Sequence, residues 1–111
     1  MTISKHLIHD EGTGQVYEID ERIFSDCVTH QLKVIREHAK ELILEAAPEY
    51  KQRNAALGLL TQQEIDDIKT EIQNIRTISN QKEGEILAVI WDGNESTRPA
   101  ACDAVQNVRW D

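Results

Sequence analysis

Apolar residues recur at Val28, Leu32, Ile35, Ala39, Leu42 and Ala46, in alternating steps of four and three. That heptad spacing places all six on one stripe of an α-helix, which needs another helix to cover it and favours left-handed supercoiling. Phe24, Cys27, Val34 and Ile43 widen the stripe, so the helix is expected to touch more than one neighbour. Asp20 suits the N-cap position ahead of it. The pattern then meets Pro48, which lacks an N–H and disfavours helix at Ala47. A break near Ala47 follows, with a short new helix from Pro48 to about Leu57 and Gly58 as its stop.

The second long pattern has a sharp start. Thr61 and Glu64 have the spacing of a capping box, and Leu60 and Ile65 occupy the two positions of a hydrophobic staple. Ile65, Ile68, Ile72 and Ile75 keep the same rhythm. Ser79, Asn80 and Gly84 are poor helix formers, so a weak patch or hinge is expected there before the seam resumes at Ile86 and runs to Trp91. Asp92-Gly93-Asn94 should end the helix. A short helix over Pro99 to Val108 would share Cys102, Val105 and Val108 on one face. Trp110, nearly terminal, either anchors the tail or meets a partner, with burial in the fold as the default.

The start of the chain reads as a β-hairpin. Ile3 to His9 and Gln15 to Ile19 are the strands, with a turn at Asp10-Glu11-Gly12-Thr13-Gly14. A lone hairpin is marginal in water, so it should dock on the helices or on another protein. The fold class is therefore mainly α: long helices in a hairpin or coiled-coil arrangement, a small N-terminal β-hairpin and a short C-terminal helix. The 111 residues suit one domain, with the β-hairpin in 1–19, a helical hairpin over 20–92 broken near 47–61, and a turn with a short helix in 93–111.

The net charge of -8 is uneven: residues 1–27 carry -4, residues 28–59 carry +1, residues 60–97 carry -5, and the rest balance. No basic nucleic-acid footprint is present. The near-neutral 28–59 segment is expected to lie against the acidic 60–92 segment, within one chain or between chains. No run approaches the length of a membrane span. Cys27 and Cys102 form no C-x-x-C, and with no signal-peptide pattern both read as reduced, small apolar residues.

No catalytic or cofactor-binding constellation emerges. His6 and His9, three apart on a strand, point to opposite faces, and His30 and His38 lack a carboxylate-rich cluster to complete a metal site. His30 lies three residues from Cys27, a common helical spacing without the acid that would complete a nucleophile. Gly12-Thr13-Gly14 lacks the lysine of a phosphate loop. Glu64, Asp66, Asp67 and Glu71 read as a solvated acidic face. The joint offers two readings: a helical elbow with Tyr50 and Leu57 tucked inward, or an intersubunit contact in which Tyr50 and Arg53 are anchors. The candidate interface residues are Leu32, Ile35, Leu42, Tyr50, Arg53, Ile68, Ile72, Ile75 and Trp91.

Two stretches carry a family likeness: Pro48-Glu49-Tyr50-Lys51-Gln52-Arg53-Asn54-Ala55 and Ile75-Arg76-Thr77-Ile78-Ser79-Asn80. Set between a long helix and a second one, they resemble a helical segment of small tail-associated proteins of tailed bacteriophages, over roughly Leu32 to Leu87. The resemblance implies a non-enzymatic structural part of the virion tail, made in the host cytoplasm and placed near fibres or baseplate. It would be a fibre component, adaptor or assembly partner. Other tail proteins would be its partners, together with copies of itself; a trimer is the arrangement fibre parts suggest. The acid excess motivates a different expectation, a small inhibitor or regulator that occupies a basic surface of a host protein.

Overall fold

The structure, a computed structural model, describes residues 2–110. The hairpin strands are β1 (His6–His9) and β2 (Val16–Ile19), followed by helices α1 (Phe24–Ala46), α2 (Glu49–Ala56), α3 (Gln62–Leu87) and α4 (Arg98–Gln106). Ile35, midway along α1, packs with Ile86, late in α3, while Ala39 and Ala46, further along α1, share a cluster with Ile75, midway along α3. The two long helices are thus antiparallel, and they bury the seam between them at Ile35, Ala39 and Ala46 of α1 and Ile75, Ser79 and Ile86 of α3. α4 closes the free end of this pair, setting Cys102 and Val105 against Cys27, Ile35 and Ile86. The chain is mainly α, as its periodicity predicts.

Helix ends follow local chemistry. Ala47 leaves the helix at φ -134°, Pro48 caps α2, and Gly58 takes φ +72° just beyond α2, where a side chain would be strained. The capping box is formed: Thr61 Oγ1 accepts from the Glu64 N–H at 3.1 Å, and Glu64 Oε1 accepts from the Thr61 N–H at 3.3 Å. Thr61→Ala is expected to cost about 1 kcal/mol in urea unfolding, whereas Thr61→Asp, which caps as well, should leave stability nearly unchanged.

Four expectations need correction. First, α3 runs unbroken through Ser79, Asn80 and Gly84. Ser79 is buried in the seam, so tertiary packing outweighs its weak propensity. Second, α3 stops at Leu87 rather than Trp91, leaving Ile90 87% exposed. The chain turns through Gly93 at φ +84°, and the Trp91 indole donates to the Asn94 carbonyl at 2.9 Å, which sets its ring against Phe24. Third, Asp20 does not cap α1; Ile23 holds that position without a side-chain bond, and the Asp20 carboxylate faces Arg22. Fourth, Val108 lies beyond α4 rather than on it, although it still packs on the core.

The molecule is long, 71 × 31 × 20 Å, with a radius of gyration of 20.6 Å. A compact chain of this length would have about 13 Å. β1 and β2 pair antiparallel with His6 opposite Ile19 and His9 opposite Val16, and Gly14 at φ +72° shapes the turn. Pairing puts Leu7, His9, Val16 and Glu18 on one face, which is exposed throughout. The hairpin therefore leaves this face uncovered by the chain's own helices.

Candidate protein–protein interface

Where α1 gives way to α2, the Gln52 side-chain amide donates to the Ala47 carbonyl at 2.6 Å and fixes the elbow. The first half of α3 returns beside it. Between them lies an open groove of about 370 Å³, with Ile43, Ile65, Ile68 and Ile72 among its lining and Lys51, Lys69 and Arg76 at its edge. Its isoleucines are half-buried. Ala47, the small residue that ends α1, lines the groove beside Ile43. Lys51, Lys69 and Arg76 make no ion pair with any described residue. An apolar floor edged by unpaired cations suits an apolar segment with acidic residues beside it.

The candidate residues separate into two groups, with Trp91 apart from both. Ile35 and Ile75 are buried within the chain's own α1–α3 seam, and Leu32 and Leu42 pack on its edges. Ile68 and Ile72 line the elbow groove, while Tyr50 is 59% exposed and Arg53 lies open on α2. Leu57 is exposed as well, so neither it nor Tyr50 is tucked inward. Trp91 sits at the other end, half-buried against Phe24. Trp110 reaches both core clusters and lies against the His38 ring at 5.2 Å, anchoring the tail.

Sequence reasoning passed over two features. Lys69 and Arg76 are seven apart and flank the Ile65–Ile68–Ile72–Ile75 seam. A heptad reading extended to the charged positions beside that seam would have marked them. Arg22 had no such signal. It is 2% exposed and donates to Asp20 at 2.7 Å, Asp103 at 2.8 Å and Gln106 at 2.8 Å. Arg98 adds a bond to the Asp20 carbonyl, and Gln106 donates to the Ile3 carbonyl. Residues 2–3, the approach to α1 and α4 are thereby tied into one latch.

The latch has an acid-sensitive member. The hydrogen bond from Arg22 holds the Asp20 carboxyl down at about 2, against an ordinary 3.8. Because the folded value is the lower one, its stabilisation is complete above about pH 4 and is lost as pH falls toward 2. Acid titration followed by circular dichroism should show stability falling in that window, with a shallower fall in Asp20→Asn. Burial, then the neighbouring Cys102, pushes the Cys27 thiol up to about 11, so Cys27 packs as a neutral group in the core, where Cys102 is buried beside it.

Among the described residues, no group of three or more His, Cys, Asp or Glu side chains gathers as a metal-ligand set, and no helix is long and apolar enough to cross a membrane. No protein-family model, curated protein or solved structure matches this chain.

Proposed function

We propose that this chain is a non-enzymatic structural part of a bacteriophage tail, a fibre component, adaptor or assembly partner that works by packing against copies of itself and neighbouring tail proteins. The observation that carries the assembly half of this reading is unburied surface that includes large apolar side chains. The chain exposes 7748 Å², whereas a compact monomer of its mass exposes about 6,200 Å². The excess, about 1,500 Å², exceeds the roughly 800 Å² that each partner contributes to a standard interface. Leu7, Val16, Tyr50, Leu57, Leu59 and Ile90 are among the chain's exposed large apolar side chains.

The tail half rests on the likeness of residues 48–55 and 75–80 to small tail-associated proteins. Part of that likeness, Lys51 and Arg76, lies on the elbow groove. The most shifted titratable groups, Asp20, Arg22 and Cys27, are engaged with one another or with the core, in keeping with a structural part. Mass spectrometry of purified virions tests the assignment. The protein is expected there in stoichiometric amount. Finding it free in infected cytoplasm, and absent from particles, would favour the acidic-inhibitor reading instead.

A further inference from the structure

We infer that copies of this chain join head to tail, the N-terminal hairpin of one copy seating its Leu7–Val16 face in the elbow groove of the next. The inference rests on the assembly half of the proposed function and names the two surfaces that meet. Two ends of the molecule are incomplete in complementary ways. At the head, Leu7 is 74% and Val16 60% exposed on the same hairpin face. A two-stranded hairpin has little stability of its own, so a face left uncovered in the monomer gains most from a partner. Residues 6–21 contain five acids and no lysine or arginine. Glu18 is engaged by Lys5 and Asp20 by Arg22, which leaves Asp10 and Glu11 at the tip without a cation among the described residues.

At the tail, the groove floor is isoleucine and its edge carries three cations that make no ion pair among the described residues. Apolar meets apolar, and acid meets base. The hairpin precedes α1 and the elbow follows it, so about 34 Å of helix separates the two surfaces. They are therefore unable to satisfy each other within one chain. A contact between different patches on identical copies is heterologous. It generates a ring if the rotation closes and a filament if it does not. Either outcome suits a part repeated around or along a tail.

Complementation of two surface variants tests this. The tail variant carries Lys69→Glu and Arg76→Glu; the head variant carries Leu7→Ser and Val16→Ser. Circular dichroism should show wild-type helicity in both, since every substituted side chain is exposed. Sedimentation is expected to show self-association of the wild type, weakened by salt as exposed charge contacts require. Each variant alone should lose it, with a dissociation constant raised on the order of a hundredfold. Mixed, they should form a one-to-one dimer that grows no further, because each supplies the surface the other lacks.

A mixture that stays monomeric overturns head-to-tail joining, as does a variant that still self-associates like the wild type. If the wild type assembles in those cases, the assembling reading survives and only the proposed contact fails. A wild type that remains monomeric at high micromolar concentration sinks both.

Discussion

Ile86→Ala is expected to destabilise the chain by about 2–5 kcal/mol, read as a lower urea midpoint with an unchanged slope. Ile86 is fully buried where α3, α1 and α4 converge, and its neighbours Ile35, Cys102 and Val105 are fully buried too. Few fully buried large side chains hold this chain together, so a cavity there removes contacts from three helices at once. Two controls give the number its meaning. Ile86→Val should cost only about 0.5–1.5 kcal/mol, since it removes one methylene. Ile90→Ala, at an 87% exposed position four residues on, should change stability by less than about 0.5 kcal/mol in the monomer. Equal losses at 86 and 90 would mean that the core is not where the structure places it.

Asp20→Asn should cost about 3 kcal/mol at neutral pH, the second large effect. The physical reason is the buried cation that remains. Arg22 is almost inaccessible to water, and losing its closest carboxylate leaves a guanidinium short of compensation. Asp103 also reaches Arg22, at 2.8 Å, but about half of its side chain is open to solvent. Asp103→Asn should therefore cost under about 1 kcal/mol, in the range of exposed pairs. The difference between wild type and Asp20→Asn should shrink as pH falls from about 4 to 2, because protonation then does to the wild type what the substitution does permanently. A penalty at Asp20 no larger than that at Asp103 would remove the case for a buried latch.

Much of the architecture is legible in the chain because it is set by local rules. The three–four spacing from Val28 to Ala46 and from Ile65 to Ile75 specifies two stripes whatever covers them. Pro48 ends one helix because a missing N–H cannot be supplied from afar, and Thr61 with Glu64 begins another because both partners lie within one turn. The turn at Asp10–Gly14 is equally local. These features need only neighbours within about seven residues, so they can be read before the chain is folded.

Tertiary structure alone decided the rest. Ser79 and Gly84 stay helical because α1 packs along this part of α3, a stabilisation that propensity does not contain. Asp20 serves Arg22 rather than a helix end because Asp103 and Gln106, more than eighty positions away, complete the same cluster. The elbow groove brings Ile43 of α1, Ala47 and α2 beside isoleucines of α3, a juxtaposition that appears only once the register of the two helices is set. Side-chain volume and charge are written residue by residue, but whether a volume is filled or a charge answered depends on what the folded chain brings opposite it.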